Sequence, residues 1–159
     1  MATRATFLPT SAEYPASTAA FATVNGRPVL AFDASTNESA YWTVLIPTGW
    51  TGTKYFIIHY FMASATTGGV AFDVSIESMA TGSTVDLDSA TSFDSVNTGT
   101  DTVNATAGVR GRIVITLTNN DSSAADDYAR VLVTRDTTNG SDTATGDCYL
   151  VAAELRDSA

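Results

Sequence analysis

Hydrophobic and polar residues alternate with a period of two along much of this chain. The alternation is clearest in residues 70–76, 110–118 and 148–155. A period of two predicts β-strands with one buried face and one solvated face. Further strands are predicted at residues 29–33, 41–46, 54–64 and 129–135. We expect one weaker strand within residues 84–106, which makes about eight strands in all.

Turn residues and composition point to the same fold class. Asn-Gly pairs at residues 25–26 and 139–140, and glycines near residues 49, 68 and 82, separate the predicted strands. Thr, Ser, Ala and Val dominate, whereas one Lys and four Glu leave few of the residues that favour long helices. Several short strands of this kind predict an all-β protein, an antiparallel β-sandwich of jelly-roll type.

The predicted strand at residues 54–64 is apolar or aromatic on both faces. Phe56, Ile58, Tyr60 and Met62 share one face, which we assign to the sandwich core. The opposite face carries a candidate interface of four residues, Tyr55, Ile57, His59 and Phe61. A strand that is apolar on both faces needs a cover on each. The second cover could be a loop, the N-terminal segment or another subunit.

The first 28 residues differ from the rest of the chain. Pro9, Pro15 and Pro28 argue against a central strand or a stable helix over most of this segment. We therefore predict an extended N-terminal arm at residues 1–28 and a jelly-roll domain at residues 29–159. The arm carries four spaced apolar residues, Phe7, Leu8, Tyr14 and Phe21. Such an arm can wrap its own domain or dock on a neighbour, and we favour the neighbour.

Length and charge exclude several classes of protein. The chain has 159 residues, 8 Lys+Arg and 17 Asp+Glu, for a net charge of −9. Nucleic-acid binding needs a basic face, so a nucleic-acid partner is not expected. No apolar run approaches about 18 residues, so we expect no membrane partner. The N-terminus shows no apolar segment of a signal peptide, which predicts synthesis in the cytoplasm.

The sequence carries no recognised catalytic or metal-binding motif. The chain has no Gly-x-Ser-x-Gly elbow and no glycine-rich phosphate loop, so we expect neither an enzyme nor a cofactor. His59 is the single histidine, and we interpret it as a packed or interface residue. A pair between His59 and Cys148, the single cysteine, stays open although no motif supports it.

Two features suggest binding chemistry but have simpler interpretations. Residues 136–142 carry Asp136, Asn139 and Asp142, which could hold calcium. Turn capping also accounts for such residues, and we favour it over calcium binding. Trp50 follows a Pro-Thr-Gly turn and could stack on a sugar. We favour a second interpretation, in which Trp50 closes the open end of the sandwich.

Two blocks of sequence resemble a known group of proteins. The first runs from Asn25 to Asp33 and continues through residues 38–42 to Pro47. The second comprises residues 133–136, 142–147 and 151–156. Together they resemble small jelly-roll capsid decoration (cement) proteins of tailed bacteriophages. The likeness is one of strands and turns, without a diagnostic site, so its bearing on function is analogy.

The resemblance implies a virion structural protein on the outer capsid surface. It would assemble as a homotrimer, bind the major capsid protein and bridge coat subunits. Residues 55–62 could then form the trimer contact, and the arm could lie along the coat or along a neighbouring decoration subunit. The alternative is a tail-fibre or tail-spike jelly-roll module that binds a host surface carbohydrate through Trp50 and the acidic loops.

Overall fold

The computed structural model describes residues 1–88 and 91–158. These ranges contain ten β-strands and one 3₁₀ helix (Pro9–Ser11). The strands are β1 (Ala2–Phe7), β2 (Ala20–Val24), β3 (Arg27–Phe32), β4 (Ser39–Leu45), β5 (Lys54–Met62), β6 (Gly69–Met79), β7 (Asn97–Thr102), β8 (Gly111–Thr116), β9 (Tyr128–Arg135) and β10 (Cys148–Asp157).

The strands form two antiparallel sheets that pack face to face. The larger sheet has the order β2-β3-β10-β5-β8, and β1 also pairs with β10. The smaller sheet has the order β4-β9-β6-β7. β10 is long enough to pair with β3 through residues 148–150 and with β1 through residues 153–157. A β-bulge between Leu150 and Ala152 separates these two pairings. The predicted jelly-roll β-sandwich is confirmed.

The core lies between the two sheets and follows the period-two pattern. In β8, the glycine and the two isoleucines are buried while the intervening residues are exposed. Phe32 of the larger sheet meets Phe72 of the smaller sheet edge to face, with ring centroids 5.2 Å apart. Burial of such aromatic side chains supplies a large share of the hydrophobic stabilisation. The eight strands predicted from the pattern are all present, and β7 is the weaker one.

The N-terminal segment differs from the predicted arm. β1 pairs antiparallel with the C-terminal half of β10, and β2 forms a hairpin with β3. Pro9 and Pro15 lie between β1 and β2, and Pro28 lies within β3, so the argument against strands holds only for the connection between β1 and β2. β1 and β2 therefore belong to the larger sheet of their own domain, and docking of this segment on a neighbouring chain stays a prediction.

Phe7 shows why this segment belongs to the domain. Its side chain is 4% exposed and lies within 6 Å, centroid to centroid, of two core rings: 5.9 Å from Trp42 and 5.8 Å from Phe56. The prediction that Phe7 anchors a neighbouring subunit is wrong, because the core of the same chain surrounds it.

Among the described residues, no helix is long or apolar enough to cross a bilayer.

Candidate functional site

An aromatic pair lies on the outer face of the larger sheet, the face turned away from the core. Tyr149 of β10 lies directly opposite Phe61 of β5 in the sheet register. Their ring centroids are 5.2 Å apart and their planes are inclined by 71°. In this edge-to-face arrangement each ring covers only a small part of the other. Both side chains are half-buried, so the pair presents aromatic surface to solvent.

The aromatic pair and Val151 line a groove with a volume of about 670 Å³. The tip of the β2–β3 hairpin, with Asn25 and Arg27, lines it from one edge of the sheet. The loop before β8, with Arg110, lines it from the other edge. Ligand sites typically combine an apolar surface with a few polar groups in this way.

The hairpin tip owes its shape to a tight turn. Asn25 and Gly26 both have positive φ, at 48° and 74°. Two successive positive φ values are typical of the type I′ turn, which favours Asn-Gly. The guanidinium of Arg27 donates a hydrogen bond to the Asn25 carbonyl at 3.3 Å. The rest of this exposed guanidinium remains available to a ligand.

The opposite wall is fixed by backbone contacts to β5. The Gly108 N–H donates a hydrogen bond to the Met62 carbonyl at 3.0 Å. The Asn104 side chain donates to the Val109 carbonyl at 3.2 Å. These contacts place Arg110 beside the end of β5, where its side chain reaches His59.

His59 belongs to a polar chain that crosses the larger sheet. Arg110 Nη1 donates to His59 Nδ1 at 2.8 Å. A guanidinium can only donate, so Nδ1 accepts and the ring proton lies on Nε2. Nε2 lies 3.4 Å from Glu154 Oε2, and Arg156 Nη2 lies 2.5 Å from the same oxygen. His59 is therefore held in place by polar side chains of its own subunit.

The predicted interface on β5 is only partly available. Ile57 is fully buried on the outer face, where Glu154 and Val114 occupy the neighbouring positions on β10 and β8. Its burial excludes it as a contact surface in this structure. Tyr55 and Phe61 remain half-buried. In the N-terminal segment, Leu8, Tyr14 and Phe21 are each close to half exposed.

Trp50 is buried at one end of the sandwich. Its side chain is 5% exposed, and Nε1 donates to Ser123 Oγ at 3.3 Å. Lys54 Nζ lies 5.5 Å from the ring centroid, a cation–π distance. The favoured interpretation of Trp50 as a closing residue is confirmed. A sugar site built on Trp50 is wrong, because its ring is not accessible.

The acidic loop at residues 136–142 is a set of structural caps. Both carboxylate oxygens of Asp142 accept hydrogen bonds from Arg135, and Oδ2 also accepts from the Ala71 N–H. Asp136 caps its own turn, and the Thr138 hydroxyl beside it lowers the pKa of its carboxyl group. Among residues 1–88 and 91–158, no group of three potential ligands is arranged to hold a metal ion.

Cys148 and His59 lie on opposite faces of the larger sheet. Cys148 is buried among core residues, and this burial raises the pKa of its thiol. His59 points away from the core, toward Arg110 and Glu154. The open possibility of a Cys–His pair is therefore excluded, since the sheet itself separates the two side chains.

Comparisons with known proteins show the fold. No protein-family model matches the chain, and no curated protein matches it either. Among solved structures, it is similar to CsCBM6-3 from Clostridium stercorarium in complex with cellobiose, at 12% identity and a TM-score of 0.55. That match covers 99% of this chain and 98% of the other.

Two further solved structures are more distant. An isomalto-dextranase of Arthrobacter globiformis T6 complexed with panose matches at 18% identity and a TM-score of 0.46. This match covers 91% of the present chain but 21% of that enzyme. TmCBM61 in complex with beta-1,4-galactotriose matches at 9% identity and a TM-score of 0.43, covering 92% of this chain and 86% of the other.

Sequence reasoning found one side of the groove and missed the other. Phe61 was singled out because β5 is apolar on both faces. The alternation marks Tyr149 only as one residue of a strand, and no local pattern distinguishes Arg27 or Arg110 as ligand-binding residues. The sequence signal for the groove is one outward-facing aromatic on each of two strands, Phe61 on β5 and Tyr149 on β10. Their pairing cannot be read from residues that lie 88 positions apart, which is the difference between 149 and 61.

Proposed function

We propose that this chain is a carbohydrate-binding module whose ligand lies in the groove over Phe61 and Tyr149. The proposal rests on this half-buried edge-to-face pair, which presents aromatic surface to solvent. Sugar rings carry apolar C–H faces and a rim of hydroxyls, so they suit amphipathic surfaces in which aromatic rings lie beside polar groups. The larger sheet carries both kinds of group side by side.

The size and polarity of the groove support a small oligosaccharide. Its volume of about 670 Å³ falls within the range of roughly 300–1,000 Å³ that is usual for ligand sites. The Asn25 amide and the Arg27 and Arg110 guanidinium groups stand at its walls. The CsCBM6-3 neighbour, which shares the fold over almost its whole length, was solved with a disaccharide, cellobiose.

Trp50 and the loop at residues 136–142 do not form this ligand surface, because Trp50 is buried and the loop's carboxylates cap backbone and side-chain donors. The ligand surface lies on β5 and β10. It needs no metal, since aromatic stacking and hydrogen bonding supply the contacts.

The test is a glycan array followed by calorimetry on the glycans that bind. Tyr149→Ala and Phe61→Ala should each weaken binding at least tenfold, with folding checked by circular dichroism. Tyr14→Ala is the matched control, because Tyr14 is an aromatic residue that is 51% exposed and does not line the groove. An array without hits, or binding that survives both groove variants, would overturn the proposal.

We also retain capsid decoration as a second proposal. The observation in its favour is the half-exposed apolar set of Leu8, Tyr14 and Phe21 in the N-terminal segment. If the chain binds the assembled shell but not its separate subunits, this binding would stabilise the shell by mass action. Under this proposal the chain is a homotrimer on the outer surface of a virion and contacts the major capsid protein.

The test of capsid decoration is a variant that removes the exposed apolar side chains of the N-terminal segment without disturbing β1. Deleting residues 1–17 would remove β1 and the core residue Phe7, so loss of binding could reflect unfolding. The sharper variant is Leu8→Ser with Tyr14→Ser and Phe21→Ser, which leaves β1 paired. Co-sedimentation with capsids should fall at least tenfold for this triple variant, and unchanged co-sedimentation would overturn the role of the segment.

A further inference from the structure

Positive charge is concentrated on the outer face of the larger sheet. The chain has a net charge of −9 and only eight basic residues. Four of these lie on or beside this one face: Arg27, Arg110, Arg112 and Arg156. The register places Arg112 opposite His59, and Arg156 opposite Tyr55, on the outward side. Among outward positions of the described strands of this sheet, Glu154 is the one acidic residue.

The remaining basic residues have structural partners elsewhere. Arg4 pairs with Asp157 at 2.9 Å, and Arg135 pairs with Asp142. Lys54 donates to the Asn120 side chain. Arg130 lies near Glu77 on the smaller sheet, over the ring of Tyr41. These four residues therefore stabilise the folded structure through contacts within the chain.

The groove arginines lack such partners among the described residues. Arg27 donates to a neutral carbonyl, Arg110 donates to a neutral histidine, and Arg112 is exposed without an ion pair. Glu154 is shared between His59 and Arg156, and the buried Nε of Arg156 has no hydrogen-bond partner. The face therefore keeps an excess of positive charge within an acidic protein.

This excess has a chemical consequence for the ligand. A guanidinium presents a planar fork of donors that matches a carboxylate or a sulfate oxyanion. Arg27 and Arg110 reach the groove from opposite walls, with Phe61 and Tyr149 between them. A sugar ring stacked on the aromatic pair would hold an acidic substituent within reach of either guanidinium group.

We propose that the groove selects acidic carbohydrates, meaning chains with uronate or sulfate groups. This inference rests on the proposed carbohydrate-binding function and narrows it. The rest of the acidic surface repels anions only over a short range, because charges separated by more than about 8 Å are largely screened at physiological ionic strength. A polyanion without sugar rings that stack, such as duplex DNA, gains nothing from the aromatic pair.

The test compares matched acidic and neutral ligands by calorimetry. The probes are oligogalacturonate and its carboxyl-reduced form, and a sulfated galactan oligosaccharide and its desulfated form. An acidic probe should bind at least tenfold more tightly than its neutral form, with affinity falling between 50 and 500 mM NaCl. The pair with the larger ratio of acidic-probe affinity to neutral-probe affinity identifies the preferred acid group, uronate or sulfate.

Variants separate the charge from the sugar contact. Arg27→Gln and Arg110→Gln should each weaken binding of the acidic probe at least fivefold more than they weaken binding of the neutral probe. Arg130→Gln removes the same charge from the opposite sheet and is the control, with affinity expected to stay within twofold. Tyr149→Ala should weaken both forms of the probe.

The outcomes distinguish this inference from the proposed function. Equal binding of acidic and neutral sugars that depends on Tyr149 would overturn acid selectivity and keep carbohydrate binding. Binding of DNA and acidic sugars alike, independent of Tyr149, would overturn both in favour of a general polyanion surface. Absence of binding to all four probes, with neutral glycans bound on the array, would also overturn acid selectivity.

Discussion

Arg135 and Asp142 form a buried ion pair with two hydrogen bonds, from Nε to Oδ2 at 3.0 Å and from Nη2 to Oδ1 at 2.9 Å. Both side chains are almost inaccessible to solvent. Arg135 also donates to the Phe32, Ala144 and Gly146 carbonyls. The pair thus ties the loop before β10 to both sheets, and it holds β10, which carries Tyr149, in place.

Breaking this pair should destabilise the protein strongly. Asp142→Asn leaves a buried guanidinium without its counter-charge, and we expect the free energy of unfolding to fall by about 3–5 kcal/mol. Urea denaturation followed by tryptophan fluorescence measures the change. Asp136→Asn is the control, because Asp136 lies in the same loop and its carboxylate accepts hydrogen bonds from the neutral donors Thr138 and Asn37. Equal losses for the two variants would contradict the structural role assigned to the pair.

Tyr60 should make the protein sensitive to alkaline pH. Its hydroxyl donates to Asp101 Oδ2 at 2.8 Å, and burial together with this carboxylate raises the pKa of Tyr60 well above its ordinary value of 10.0. The unfolded chain ionises Tyr60 first, so the stabilising contribution is complete below pH 10 and is lost as pH rises above it. Urea denaturation between pH 8 and pH 11 should show this fall.

Tyr60→Phe supplies the comparison for that experiment. It should lower stability at neutral pH by about 1 kcal/mol, since one hydrogen bond is lost. It should also flatten the decline above pH 10, because a phenylalanine has no proton to release. Tyr14→Phe, at an exposed position, should do neither. An unchanged alkaline decline in Tyr60→Phe would show that other groups cause it.

Gly111 should resist substitution because Tyr60 packs against it. A Cβ at Gly111 would lie 2.6 Å from the nearest ring atoms of Tyr60, which is buried and cannot move aside. Gly111→Ala should therefore lower stability by about 1–3 kcal/mol, as expected for overpacking. Gly140→Ala, with open space around the added methyl group, is the control and should not lower thermal stability comparably.

Asp136 should titrate below an ordinary aspartate. The Thr138 hydroxyl and backbone N–H donate to its carboxylate and lower its pKa from the ordinary 3.8. The associated stabilisation is present above pH 3.8 and is lost as pH falls through the lowered value. Carboxyl chemical shifts measured by NMR should show this, and Thr138→Ala should move the pKa of Asp136 back upward. An unshifted pKa in Thr138→Ala would assign the effect to other donors.

The pattern along the chain determined the strands and the fold class. In residues 70–76 and 111–116 the side-chain period is local, so it shows which residues face the core without knowledge of the partner strand. The Asn25-Gly26 turn is equally local, since its φ values are properties of those two residues. These features allowed eight strands and the β-sandwich to be predicted.

Only the tertiary structure decided where the functional surface lies. Phe61 meets Tyr149, and Arg27 faces Arg110 across the groove, because β3, β10, β5 and β8 are neighbours in the larger sheet. Strand order and register depend on contacts between distant residues, which no local period encodes. Phe7 and Trp50 make the same point. Each is an apolar residue beside a turn or proline, and only packing distinguishes a core residue from a binding residue.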